Sequence, residues 1–241
     1  MTTSSGAHRA VDDDHAEKKG VDSLARIDRH YVSHELFHLF HLEKGFLFNF
    51  KELLVRPAAS IREFLFVNRS RHMKPIAYLI FSALLYTFIY NYFKPPRASV
   101  VEESYFHGSS VETIQHWLDA HFGYTYIIKS FFVAFVVKLL FRKYQLNIFE
   151  IMTMMCFVSA QGLWIIAFLL PLHPLLTQTA NNIILIGASV LYPVIVIAQV
   201  FDRSKPLNYL KALIGYFVGN TLVFLIVVAS GLTIDWLAKL L

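Results

Sequence analysis

Apolar positions gather into five long runs, at about residues 75–93, 124–141, 149–170, 183–200 and 209–234. Each is close to the ~20 residues that a helix needs to cross the ~30 Å hydrocarbon core of a bilayer. Backbone groups in lipid must be satisfied within the segment, so even the Val- and Ile-rich runs predict helices and not strands. Ahead of the first run the pattern changes. From residue 46 to 65, Phe46, Leu47, Phe50, Leu53, Leu54, Ile61, Phe64 and Leu65 share one side of a helical wheel, with Lys51, Glu52, Arg56, Arg62 and Glu63 opposite. This predicts two short amphipathic helices lying along a membrane interface. Pro57 is the break between them, because proline suits a first helical turn and not a helix interior. Residues 1–28 carry charge runs and no hydrophobic period, which predicts disorder. The expected architecture is all-α: a polar N-terminus over 1–28, a cytoplasmic and interfacial helical region over 29–74, and a five-span bundle over 75–241.

Composition agrees with this class. Hydrophobic residues make up 56% of the chain and charged residues 16%, an imbalance that ordinary soluble domains do not carry. The formal net charge of +5 raises the question of nucleic acid, but no nucleic-acid motif accompanies it. Membrane proteins acquire basic loops through orientation instead. Arg56, Arg62, Arg69, Arg71 and Lys74 precede the first run, Arg142 and Lys143 follow the second, and Arg203 and Lys205 follow the fourth. With five spans these groups fall on one side, and the positive-inside rule predicts a cytoplasmic N-terminus and a periplasmic C-terminus. The start of the chain lacks the basic, apolar and small-residue pattern of a signal peptide, so it is expected to be retained. The single cysteine, Cys156, excludes an intramolecular disulfide and a cysteine-rich zinc module.

Polar residues inside the runs are few. Lys129 and Lys138 are expected to snorkel toward opposite interfaces. Gln161 and Asn220 are expected to bond to neighbouring helices. Gly215 and Gly219, one turn apart, permit close helix approach within the chain or between chains. Pro193 is expected to kink the fourth span.

The segment HELFH, His34 to His38, has the letters of a zinc-protease motif, in which two histidines hold the metal and the glutamate activates water. His30, His34, His38 and His41 recur at steps of four, four and three, which places them along one helix face. The metal reading takes His34, His38 and His41 as ligands and Glu35 as general base. Against it, no third-ligand motif follows, and histidines at a membrane interface give the same spacing.

The run from Tyr31 to Leu79, with Glu43-Lys44-Gly45-Phe46-Leu47, Leu53 to Pro57, Arg62-Glu63-Phe64, Arg69 and Pro75, resembles the bacterial membrane family catalogued as domain of unknown function 3667. Two departures stand out: the N-terminal cysteine ribbon of many members is missing, and Ala58 replaces the usual glycine. The resemblance implies a bacterial inner-membrane protein with interfacial helices and supplies no reaction.

Two functions follow as expectations. The first is a non-enzymatic scaffold, assembly or transport-accessory protein without a cofactor, with Arg56, Arg62, Arg69, Arg71 and Lys74 at anionic headgroups and a second copy or a membrane protein as further partner. The alternative is a membrane-bound zinc hydrolase built on HELFH.

Overall fold

The computed structural model describes residues 46–93 and 106–240. The polar start and the histidine segment, with His34, Glu35, His38 and His41, lie outside the described residues. Within them every regular element is helical. In chain order these are α1 (Phe46–Val55), α2 (Pro57–Phe66), α3 (Pro75–Phe93), α4 (Ser110–Ala120), α5 (Phe122–Leu140), α6 (Ile148–Leu169), α7 (Gln178–Ile186), α8 (Tyr192–Asp202) and α9 (Pro206–Ala238). Short 3-10 segments cover Arg142–Tyr144 and Leu170–Leu175, and a π-helical turn, Gly187–Leu191, joins α7 to α8. Four helical segments are long and apolar enough to cross a membrane: Pro75–Phe93, Ile148–Leu175, Gln178–Asp202 and Pro206–Ala238. Counting the α4–α5 pair, bent by 103°, as one span makes five.

Helix α6 is the centre. Ile151, Met154, Met155, Phe157, Val158, Ala160, Leu163 and Ala167 are all buried in it, on more than one face. A helix buried all round needs neighbours all round, and α6 packs on α3, α5 and α8, with α1 and α2 alongside. It starts where the sequence supplies a capping box: Asn147 Oδ1 accepts from the Glu150 N–H at 2.8 Å, and Glu150 Oε2 accepts from the Asn147 N–H at 2.6 Å.

The glycines of α9 serve packing within the chain. A Cβ on Gly215 would lie 3.2 Å from Leu140 Cδ1, and one on Gly219 would lie 2.6 Å from Val133 Cα. α9 and α5 therefore approach backbone to backbone, which only a residue without Cβ allows. At the far end of α9, a Cβ on Gly231 would meet the Val111 backbone of α4 at 2.6 Å. Asp235 on α9 accepts from the Ser110 N–H at 3.0 and 3.2 Å, tying the start of α4 to the same helix.

A proline leaves the carbonyl four residues earlier without its helical donor, and at Pro57, Pro193 and Pro206 a side chain donates to that carbonyl. Pro57 has no N–H for Leu53 O; the Tyr192 hydroxyl donates to that oxygen at 3.1 Å. Pro193 has none for Ser189 O; the Tyr216 hydroxyl donates there at 2.6 Å. Pro206 has none for Asp202 O; Asn208 Nδ2 donates there at 3.1 Å beside the Lys205 N–H at 3.4 Å. The expected break at Pro57 thus falls between α1 and α2, and its open carbonyl also anchors α1 to α8. The span holding Pro193 continues through the π turn, a device that relieves the backbone ahead of proline. Removing either hydroxyl strands a carbonyl in an apolar surrounding. Tyr192→Phe and Tyr216→Phe should each cost about 1–2 kcal/mol, read as a lower midpoint of thermal unfolding in detergent, and an unchanged midpoint in both would sink this account of the proline sites.

Of the intramembrane polar residues, Gln161 meets its expectation by joining two other elements: the Tyr78 hydroxyl donates to its Oε1 at 2.7 Å, and its Nε2 reaches Phe50 O at 3.4 Å. Asn220 differs, since its Nδ2 donates to Tyr216 O of its own helix at 2.8 Å. An amide one turn from a backbone carbonyl is satisfied locally and has no need of a neighbour. Lys138 reaches past the end of α5 to Leu146 O, and Lys129 lies 6.0 Å from the Tyr126 ring.

Candidate functional site: the polar corner of α1, α2 and the entry to α3

The apolar stripe of α1 and α2 faces protein for most of its length. Leu53, Ile61, Phe64 and Leu65 are buried, and Phe46 and Phe50 pack on the core, whereas Leu47 and Leu54 are exposed. Phe46 and Phe50 lie 4.9 and 5.3 Å from the Trp164 ring, and Phe50 lies 5.4 Å from Phe168, both in the last turns of α6. Phe64 lies 5.0 Å from Phe157, in the middle of α6. The phenylalanines of α1 thus reach the last turns of α6, while Phe64 of α2 meets its middle. The pair is a wedge driven between α6 and α8.

One end of the wedge is fixed by Arg62. Its Nε donates to Val200 O and its Nη2 to Phe201 O, both at 2.7 Å. These are carbonyls of the last turn of α8, which have no partner within their helix and carry the negative end of the helix dipole. Arg62, which the sequence places among the basic residues ahead of the first span, thus caps a helix. Distance along the sequence hid this, because the two partners are 138 and 139 residues away.

The other charged residues form a network. Arg56 pairs with Glu52 and, at 3.4 Å, with Glu63 Oε2; Arg71 Nη1 pairs with Glu63 Oε1 at 3.3 Å. The Ser60 hydroxyl donates to Arg56 O at 3.0 Å. The Arg71 guanidinium also lies 4.7 Å from the centre of the Phe48 ring. Arg69 Nη2 donates to Leu65 O at 3.4 Å, and Lys74 immediately precedes α3.

Beneath this network lie Asn49 and His72, at 0% and 5% exposure, which the sequence pattern did not single out. Asn49 Oδ1 accepts from the Met73 N–H at 3.2 Å and from His72 Nδ1 at 3.0 Å. One amide of α1 thereby holds the turn that leads into α3. Burial pushes the His72 imidazole below its usual range, opposed by the Glu63 and Glu52 carboxylates. The signal for Asn49 was an amide set in FLFNF, where a polar residue on a buried face must find partners.

Residues 43–87 match the model of a family described as Protein of unknown function (DUF3667). It is the family that the sequence resembles from Tyr31 to Leu79, the match covering the later part of that stretch and extending to residue 87, and the matched residues contain the whole corner: α1, α2, the turn with His72, and most of α3. No curated protein and no solved structure matches the chain. Among the described residues no group of three or more His, Cys, Asp or Glu side chains is placed to hold a metal ion.

The three basic segments converge. Phe141 and Phe201 stack with ring centres 4.0 Å apart, Lys205 lies 5.7 Å from the Tyr144 ring, and Lys211 lies 6.0 Å from the Phe141 ring. With Arg62 on the end of α8, the 142–144 turn, the 202–206 turn and α2 all occupy one end of the bundle. That end carries more basic than acidic side chains beside its aromatic rings, with Arg56, Arg71 and Lys205 ion-paired to Glu52, Glu63 and Asp202.

Proposed function

We propose that the protein is a non-catalytic integral membrane protein whose α1–α2 wedge and basic end form an assembly platform at the cytoplasmic leaflet, in contact with anionic lipid headgroups. The convergence of the three basic segments on one end of the bundle is the observation that supports this reading. In it, the cytoplasmic boundary runs near Lys74, the N-terminus is cytoplasmic and the C-terminus lies on the opposite side, as the distribution of Lys and Arg implies. Helix α9, at 33 residues and about 50 Å, exceeds the ~30 Å hydrocarbon core, so its first turns stand in the headgroup and aqueous region beside α2. Arg69, Arg71 and Lys74 then stand at headgroup height, each favouring anionic lipid by about 1 kcal/mol. Arg56 contributes through its pairs with Glu52 and Glu63, and Arg62 through its hold on α8.

The test has two arms. A topology reporter fused after Lys143 should be active in the cytoplasm, and one fused after Leu241 on the opposite side; matching or reversed signals would sink the orientation. In nanodiscs, anionic lipid should stabilise the wild type by about 1–3 kcal/mol over neutral lipid, and the triple variant Arg69→Gln/Arg71→Gln/Lys74→Gln should lose that gain. Equal stability of the wild type in both lipids would remove the headgroup role.

A further inference from the structure

We propose that His72 is an acid-released latch: as long as the ring is neutral it pins α1 to the entry of α3, and its protonation frees the wedge. The tautomer follows from Asn49. Its Oδ1 already accepts from the Met73 N–H, so the atom facing His72 is an oxygen and Nδ1 carries the ring proton that binds it. In a neutral ring Nε2 is then a bare acceptor. It is buried without a hydrogen-bond partner, and Glu63 Oε1, another acceptor, lies 3.9 Å away. The second proton would enter here.

Its reception is set by what surrounds the ring. From α2 the charged group is Glu63, but its two oxygens are already engaged, Oε1 by Arg71 and Oε2 by Arg56. From α1 it is Glu52, paired with Arg56. The neighbouring turn contributes Arg71 itself, and the remaining walls are the rings of Phe48, Phe64 and Phe157. An imidazolium in the closed corner would lie among aromatic rings, beside two guanidiniums and two carboxylates that they neutralise. Desolvation is the largest influence on His72 and disfavours the charged ring, outweighing the pull of the two carboxylates. A solvent-exposed imidazole, by contrast, takes its proton near pH ~6.5. The open corner binds the extra proton more tightly than the closed one. Closure is therefore fully present above pH ~6.5 and is lost progressively as pH falls below it.

Hydrogen exchange of the full-length protein in nanodiscs, corrected for the intrinsic pH dependence of amide exchange, tests the latch. Between pH 7.5 and 5.5 the opening constant of α1 and α2 should rise by up to about tenfold, with α6 and α9 unchanged. His72→Gln, which cannot titrate, should abolish the pH response whatever its basal protection. Asn49→Asp keeps the acceptor and adds a carboxylate at Nδ1, so acid should tighten the corner in that variant instead of loosening it. This reversal serves even if His72→Gln fails to fold, because a merely structural role for the pair would not change its sign. A wild-type corner with pH-independent protection, or a pH response that survives in His72→Gln, overturns the proposal, as does an Asn49→Asp response of unchanged sign.

Discussion

Gly219→Leu should separate α9 from α5 and cause a large loss of stability. The reason is backbone contact. A Cβ at Gly219 would stand 2.6 Å from Val133 Cα and 2.9 Å from Val133 N, atoms that cannot rotate away. Overpacking a fitted interface costs about 1–3 kcal/mol where side chains can yield, and at Gly219 a whole helix must move. A loss of at least ~3 kcal/mol is expected, which for a chain of this size lowers the unfolding midpoint by roughly 6–12 °C. Gly215→Ala should cost less, since its Cβ would meet the Leu140 and Val137 side chains at 3.2 and 3.3 Å. Gly187→Ala should cost nothing and gain about 0.5–1 kcal/mol, because no atom lies within 4 Å of the added carbon and alanine loses less entropy in a helix. Thermal unfolding of the three variants in one detergent gives the order. If Gly219→Leu unfolds at the wild-type temperature, the α5–α9 contact is not what the glycines provide.

Asn49→Leu should be the most damaging change in the corner. The leucine is close in size and apolar, so a core position that needed only volume would accept it. Here it strands two donors, the Met73 N–H and His72 Nδ1–H, which both depend on Asn49 Oδ1. Each buried donor without a partner costs about 1–3 kcal/mol, and together about 2–6 kcal/mol. The expected signature is local: exchange of α1 and α2 should accelerate well ahead of α6, and limited proteolysis should cut between Val67 and Lys74. Protection of α1 and α2 equal to wild type would show that Asn49 fills space and holds nothing.

Periodicity and length carried the architecture. The run over 75–93 became α3 with those bounds, the runs over 149–170 and 209–234 lie within Ile148–Leu175 and Pro206–Ala238, and Pro57 separates α1 from α2. These features are local in origin: a span is set by its own hydrophobic length, and a proline by its missing donor. The aromatic and amide content of 46–65 was equally visible, yet its destination was not. An amphipathic stripe states that one face avoids water, and both lipid and a protein core satisfy that requirement. Packing of Phe46 and Phe50 on Trp164 decided for protein.

What the sequence alone determined is therefore the all-helical class, the number and placing of apolar runs, and the break at Pro57. What only the tertiary structure decided is who satisfies the carbonyls left open and who meets whom. Tyr192 answers Leu53, Tyr216 answers Ser189, Arg62 closes α8, and His72 finds Asn49 across 23 positions. Gly219 turned to Val133 of α5. Such pairings have no local period, because a buried donor or acceptor must be matched wherever the packed helices happen to bring a partner within about 3 Å.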